Sequence, residues 1–291
     1  MLRYRKLFTK KQKITGLILA IFGAFFFIAA KYQSSHPVVI SAQKSAYKSI
    51  IFDLGDVLFT SNPLTKHKLI ATTLLSNPSL LYYLINFDSK SEYFKFLHTI
   101  PASNKYPVFY HSEPMPPIMA DWQSGLISGD HALQTITSHL NQAQHPTAIK
   151  NLFSSIASFM FSSELLAQSQ QPIDSMVRLA QALKNAGYKL YALSNWDEQS
   201  FEQLHTKNSE IFNLFDGIVV SGQEKMAKPN PEFFNCLLNR YNVHPATTIF
   251  IDDEPNNIAT AKTLGITSIL CDKPSSVTRE LINLGIITLQ S

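Results

Sequence analysis

Residues 50–59 read IIFDLGDVLF, and this stretch decides the fold. Its apolar run stops abruptly at a polar residue, which is typical of a buried strand with a functional side chain at its carboxyl end. Two later segments have the same form, LYALSNW at 190–196 and IFIDDEPNNI at 249–258. The carboxyl ends of parallel strands share the ligand-binding edge of an open α/β sheet. We therefore expect the polar residues that end these strands to meet there: Asp53, Ser194, Asp252 and Asp253.

Short apolar strands alternate with amphipathic helices along much of the chain, a pattern that predicts a parallel α/β sheet with right-handed crossovers. The predicted strands cover residues 49–53, 188–194, 216–221, 247–252 and 267–271. The predicted helices cover residues 174–186, 197–206, 230–241 and 255–264.

A long stretch separates the first two strands. Between Asp53 and Ser194 lie 140 residues, far more than one crossover needs. Helical patterns dominate this stretch, for example at 69–85 and 131–143, whereas five prolines in 101–118 predict an extended loop. The sequence therefore predicts a mainly helical insertion after the first strand.

The residues at the predicted edge suit phosphoryl transfer. A carboxylate such as Asp53 can attack phosphorus, and a hydroxyl with neighbouring backbone N–H groups can hold phosphoryl oxygens. The segment KMAKPNPEFF at 225–234 adds a cation, Lys228, with Lys225 as its rival. The adjacent carboxylates Asp252 and Asp253 repel each other unless a cation is present, and Mg²⁺ fits such a pair.

The order of these four segments resembles the haloacid dehalogenase superfamily. Within it, the opening FDLGxV and the run GITSIL at 265–270 are similar to small sugar-phosphate phosphatases of the glucose-1-phosphate phosphatase type. The resemblance covers residues 47–62 and 120–275. It implies a Rossmann-like core with an inserted helical cap and a magnesium-dependent phosphatase acting on a small phosphomonoester, with a sugar phosphate as the expected substrate.

The same resemblance implies roles for individual residues. Asp53 would be the nucleophile, and Ser194, Asn195 and Lys228 would hold the phosphoryl group. Mg²⁺ would bind the residues that match the family's ligands: Asp53, the carbonyl of Gly55, and Asp253. Asp252 and Asn257 would lie just behind these ligands, with Asp252 orienting Lys228 or a metal-bound water.

Gly55 is a departure from the superfamily pattern. Most phosphatases of the superfamily carry an aspartate two residues after the nucleophile, which protonates the leaving oxygen, and here that acid is missing. Asp56 replaces it only if the loop bends differently, since adjacent residues point to different sides. Two alternatives to the phosphatase therefore stay open: a metal-independent dehalogenase and an inactive, membrane-tethered binding module.

The N-terminal region predicts a membrane anchor. Residues 14–30 lack charges, and as a helix these 17 residues span roughly 26 Å, close to the hydrocarbon thickness of about 30 Å. Six basic residues precede the segment, so the N-terminus is expected in the cytoplasm and the catalytic domain on the extracytoplasmic, periplasmic side. The competing interpretation is a cleaved signal peptide.

Charge and cysteine content narrow the classes of protein. Residues 1–31 carry seven of the 25 basic residues and no acid, so the remainder has 18 basic against 21 acidic residues. A mildly acidic domain gives no sign of nucleic-acid binding. Two cysteines, Cys236 and Cys271, provide no disulfide framework. The predicted organisation is a basic tail (1–13), an anchor (14–30), a linker (31–46), an α/β core (47–61 and 174–291) and a helical cap (62–173).

Overall fold

The computed structural model describes residues 45–62, 89–101 and 107–288. The predicted membrane segment at 14–30 and the helical pattern at 69–85 lie outside the described residues, and both stay predictions. Within the described ranges, none of the helices combines the length and the apolar character needed to cross a bilayer.

The described residues form nine strands. In chain order they are β1 (Ser49–Phe52), β2 (Phe59–Ser61), β3 (Phe109–Tyr110), β4 (Glu113–Pro114), β5 (Gln170–Pro172), β6 (Lys189–Ser194), β7 (Gly217–Val220), β8 (Thr248–Asp252) and β9 (Thr267–Leu270).

The same ranges contain twelve α-helices. They are α1 (Ser89–His98), α2 (Pro117–Gln123), α3 (Gly129–Gln142), α4 (Thr147–Met160), α5 (Ser163–Gln168), α6 (Asp174–Asn185), α7 (Glu198–Lys207), α8 (Ser209–Phe212), α9 (Ser221–Glu224), α10 (Pro231–Arg240), α11 (Pro255–Thr263) and α12 (Pro274–Asn283).

Five strands form one parallel sheet in the order β7-β6-β1-β8-β9. This confirms the predicted parallel α/β fold, and each of the five strands lies within one residue of its predicted bounds. All four residues of the central strand β1 are buried, which explains its unbroken apolar run.

The register of the sheet aligns the strand ends that carry polar residues. Phe52, the last residue of β1, pairs with Ala192 of β6 on one side and with Ile251 of β8 on the other. Asp53 therefore emerges at the carboxyl edge between the end of β6 and Asp252, the last residue of β8. This alignment places the polar residues of three strands at one edge of the sheet.

An apolar layer on one face of the sheet fixes the helix that follows β8. Phe250 of β8 packs with residues of α10 and α11, including Phe234 and Ile258. The rings of Phe234 and Phe250 meet edge to face, with centroids 5.3 Å apart, an arrangement worth about 0.5–1.5 kcal/mol beyond the area it buries. This packing holds β8 and the start of α11 in place beside the polar edge.

The described part of the helical insertion, α1 to α5, has an apolar core of its own. Tyr93 of α1 and Phe153 of α4 meet edge to face there, with ring centroids 5.1 Å apart. The insertion leaves the sheet region through β2 and returns through β5, and these two strands pair antiparallel. Its two connections therefore run side by side.

The proline-rich segment 101–118 differs from the predicted extended loop. In its described residues, β3 and β4 form a hairpin with His111 and Ser112 at the turn, and α2 already begins at Pro117. Both turn residues have a positive φ, 52° and 64°, as the commonest two-residue hairpin turn requires. Pro117 suits the first position of a helix, where no N–H is needed. The prolines thus mark the boundaries of short elements.

Candidate active site

Asp53 lies directly after β1 and is 8% exposed. Its backbone N–H donates to the carbonyl of Ile251 at 2.9 Å, so strand pairing continues up to this residue. The chain then turns tightly, because the N–H groups of Leu58 and Phe59 both donate to the carbonyl of Leu54. This turn keeps the Asp53 carboxylate at the strand end, in the wall of a cavity.

A buried ammonium group joins the ends of three strands. Lys228 is 1% exposed, and its Nζ donates to Asp53 Oδ1 at 2.8 Å, to Asp252 Oδ2 at 2.6 Å and to the carbonyl of Leu193 at 2.8 Å. Burial lowers the pKa of Lys228, but the two carboxylates outweigh burial and raise it above its ordinary value. The rival cation Lys225 donates to the carbonyl of Gly222 instead.

Three carboxylates converge beside this ammonium group. One oxygen from each of Asp53, Asp252 and Asp253 lies within 4.8 Å of the others. Burial, and then the charges of Asp53 and Asp252, raise the pKa of Asp253 to about 8. Burial also raises the pKa of Asp252 to about 6, although Lys228 acts in the opposite direction. One ammonium therefore does not balance the cluster, whose oxygen donors match the ligands that Mg²⁺ prefers.

Two asparagines hold the charged residues in position. The side chain of Asn195 donates to the Lys228 carbonyl at 2.9 Å and accepts from the Lys228 N–H at 2.8 Å. Asn257 donates from Nδ2 to both carboxylate oxygens of Asp252, at 3.0 and 3.2 Å. Asn195, predicted as a phosphate-binding residue, thus uses its amide on the backbone of Lys228, and Asn257 supports Asp252.

The loop after β6 forms one side of the cavity. Asn195 and Trp196 lie in the cavity wall, whereas Ser194 is 1% exposed at the end of β6. The backbone N–H of Trp196 donates to Ser221 Oγ at 2.8 Å, and its indole N–H donates to Ser200 Oγ at 2.8 Å. These contacts fix the loop, and they occupy the Trp196 N–H, one of the backbone groups that were predicted to hold phosphoryl oxygens.

Gly55 and Asp56 line the same cavity. A Cβ placed on Gly55 would meet only the ring of Trp196, at 3.8 Å, so the space for a side chain exists. Asp56 has a φ of 52°, and its Oδ1 accepts a hydrogen bond from Thr60 Oγ1 at 3.1 Å. The exposed carboxylate of Asp56 is therefore engaged within its own turn.

The hairpin β3–β4 also lines the cavity, whose volume is about 200 Å³. The backbone N–H of Ser112 donates to Glu254 Oε2 at 2.9 Å, which ties the hairpin to the loop after β8. Tyr110 lies in the cavity wall, and burial, with the charges of Asp56 and Asp253, raises the pKa of its phenol. The helical insertion thus supplies a hydroxyl group beside the acidic cluster.

Two residues that line the cavity, Tyr110 and Glu254, were not predicted from the sequence. Glu254 directly follows the Asp252–Asp253 pair, and that position was the available clue. No feature of the sequence indicates Tyr110 as a site residue. Tyr110 lies 57 residues after Asp53 in the chain, and only the tertiary structure brings the hairpin to the edge of the sheet.

Comparison with known proteins places this architecture in a family. Residues 47–265 match the family described as "Hydrolase: haloacid dehalogenase-like hydrolase". A predicted HAD-like hydrolase from Porphyromonas gingivalis has a similar fold, with a TM-score of 0.50 and 18% identity, over 81% of this chain and 98% of that one.

Two fungal relatives are also similar in sequence. A sesquiterpene phosphatase of Aspergillus oryzae is 28% identical over 222 residues, which cover 76% of this chain and 88% of the relative. A drimenol cyclase of Aspergillus calidoustus is 30% identical over 150 residues, 50% of this chain. This match spans only 28% of the cyclase, so it concerns one part of that protein.

Proposed function

The chain belongs to the haloacid dehalogenase-like hydrolase family, and from this premise we propose that it is a phosphatase whose nucleophile is Asp53. The observation that carries the proposal is the pairing of a buried nucleophile with a buried cation. Lys228 Nζ lies 2.8 Å from Asp53 Oδ1 and 2.6 Å from Asp252 Oδ2. A charged lysine at this point neutralises an incoming phosphoryl group without displacing the attacking carboxylate.

The chain's own residues account for the steps of the reaction. The Asp53 carboxylate forms a bond to phosphorus while the ester bond breaks, which divides hydrolysis into two displacements through an aspartyl-phosphate. Lys228 balances the charge of the phosphoryl oxygens, and Ser194 with the backbone N–H of Asn195 holds them in place. Asp252 keeps Lys228 oriented, since it accepts from that ammonium group and from Asn257.

The acidic cluster fits a bound Mg²⁺. One oxygen from each of Asp53, Asp252 and Asp253 lies within 4.8 Å of the others, and a divalent cation offsets the repulsion between such carboxylates. Asp53, the carbonyl of Gly55 and Asp253 are the proposed ligands. When bound, Mg²⁺ polarises the phosphoryl oxygens and shields the approach of the carboxylate.

The helical insertion is proposed to act as a cap that selects the substrate. The cavity wall combines the acidic cluster with aromatic and aliphatic side chains: Phe109, Tyr110, Met115, Trp122, Leu166 and Trp196. Such a wall suits an apolar alcohol moiety. The Aspergillus oryzae relative is named a sesquiterpene phosphatase, which supports the same class. We therefore propose a small apolar phosphomonoester as the substrate, with a sugar phosphate as the second candidate.

Removal of the metal tests the proposed function. We expect a chelator to lower hydrolysis of phosphomonoesters by at least about 100-fold, and added Mg²⁺ to restore it, because the carboxylates of the site then lose their counter-charge. The assay compares a long-chain alkenyl phosphate with a sugar phosphate, and the apolar ester is expected to have the higher kcat/KM. If the protein instead releases halide from a 2-haloacid at a rate that the chelator does not change, the metal-independent dehalogenase would be supported. Phosphate binding without any turnover would support the inactive module.

We also propose that residues 14–30 anchor the protein in the cell membrane, with the catalytic domain on the extracytoplasmic side. The support is the uncharged run and the basic residues before it, and an apolar substrate would suit a membrane location. We expect the full chain to stay in the membrane fraction during alkaline extraction and to require detergent for release. Recovery of a shortened, freely soluble chain would favour a cleaved signal peptide.

A further inference from the structure

Because residue 55 is glycine, the site lacks the carboxyl group that most phosphatases of the superfamily place beside the leaving group. The hairpin β3–β4 contributes another proton donor to the cavity, the phenol of Tyr110. Asp53 and the strand ends form the wall on the sheet side. Because displacement at phosphorus is in line, the leaving oxygen faces away from Asp53, toward the helical insertion. Tyr110 is one of the residues of the insertion that line the cavity.

The hydroxyl of Tyr110 is available to a ligand. Within the described ranges it has no hydrogen-bond partner, and the residue is 42% exposed. By contrast, Asp56, the acid nearest to Gly55 in the sequence, accepts a hydrogen bond from Thr60. Among these two candidates, Tyr110 is therefore the one with an uncommitted group beside the acidic cluster.

The position of Tyr110 is set by the packing of its ring and by contacts of the neighbouring turn. Its ring packs against His111, with centroids 4.1 Å apart, and the next residue, Ser112, is bound to Glu254. The turn residues His111 and Ser112 both adopt left-handed φ values, which cost energy in non-glycine residues and persist where surrounding contacts impose them. The hairpin is thus pinned beside Asp253 in a conformation that its sequence does not favour.

We propose that Tyr110 is a catalytic residue that donates a hydrogen bond to the ester oxygen of the leaving group. As Asp53 bonds to phosphorus, the electron pair of the breaking P–O bond stays on the ester oxygen. Tyr110 stabilises the charge that develops there, and this oxygen takes its proton from water. This inference rests on the proposed phosphatase function, and it names the residue of that site that stabilises the leaving group.

The test compares Tyr110→Phe with the parent on two leaving groups. An alkyl phosphate leaves as a strongly basic alkoxide and p-nitrophenyl phosphate as a weakly basic phenolate, so the lost hydrogen bond matters more for the first. We expect Tyr110→Phe to lower kcat/KM about 10- to 100-fold for the alkyl ester and less than about 3-fold for the nitrophenyl ester. Inhibition by inorganic phosphate, which has no leaving group, is expected to be unchanged.

Tyr93→Phe is the matched control. Tyr93 lies in the same insertion, and its hydroxyl is buried without a partner in the described part of the chain, so its loss is expected to leave both rates unchanged. Equal losses for both esters in Tyr110→Phe, or no loss for either, would overturn the proposal while Asp53-dependent hydrolysis still upheld the phosphatase. A parent without Asp53-dependent hydrolysis would overturn both.

Discussion

The Asp53→Asn variant is expected to lose at least about 10³-fold in kcat for phosphomonoester hydrolysis, because an amide replaces the nucleophile of a covalent mechanism. The substitution keeps the size of the side chain, and Lys228 keeps its bonds to Asp252 and to the Leu193 carbonyl. The fold should therefore survive, and thermal unfolding of the variant checks that it does. The measurement is the initial rate with saturating ester and Mg²⁺.

Asp56→Asn is the comparison for this variant. Asp56 lies three residues later in the same turn, but its carboxylate is exposed and accepts from Thr60. We expect this variant to lose less than about 10-fold, as for a group that takes no part in bond making. Activity that survives Asp53→Asn but disappears in Asp56→Asn would show that Asp56, and not Asp53, is the nucleophile.

The second large effect is expected at Lys228. Lys228→Met leaves the carboxylates of Asp53 and Asp252 buried without their cation, and removing one partner of a buried ion pair costs about 3–5 kcal/mol in unfolding free energy. The same change removes the positive charge that meets the phosphoryl group, so kcat is expected to fall by about 10²–10³-fold. Urea unfolding and initial rates measure the two losses separately.

A double variant separates the structural role of Lys228 from its chemical role. Adding Asp252→Asn to Lys228→Met removes one of the two buried carboxylates that have lost their cation, so part of the lost free energy of unfolding should return. Activity should not return, because the phosphoryl group still lacks its cation. A double variant that regains both properties would show that Lys228 acts only through stability.

The sequence predicted the three central strands β6, β1 and β8 well because almost all of their residues are buried and each apolar run stops at a polar residue. The alignment of strand ends brought Asp53 and Asp252 to one edge, as the apolar runs before them indicated. The proline-rich segment was harder, since prolines exclude interior positions of helices and strands but do not distinguish a loop from a short hairpin. Its hairpin depends on the contact of Ser112 with Glu254, 142 residues later.

The finer arrangement of the site also depends on contacts that no local pattern encodes. Asn195 was expected to face phosphate, yet its amide pairs with the backbone of Lys228, 33 residues away in the chain. A loop residue that follows a strand can turn toward substrate or toward a neighbouring loop, and only tertiary packing decides between the two. The sequence thus predicted both Asn195 and Asn257 as site residues, but not that the Asn195 amide pairs with the backbone of Lys228.

The antiparallel pairing of β2 with β5 has a consequence for how this chain changes over evolutionary time. The chain leaves the core through β2 and returns through β5, and these two strands are paired. The helical insertion between them can therefore lengthen, shorten or be exchanged without changing the distance between the two points at which it joins the core. Swapping this segment between homologues should therefore transplant substrate preference while the machinery for bond cleavage stays behind. New specificities can arise in such a protein with little disturbance to its chemistry.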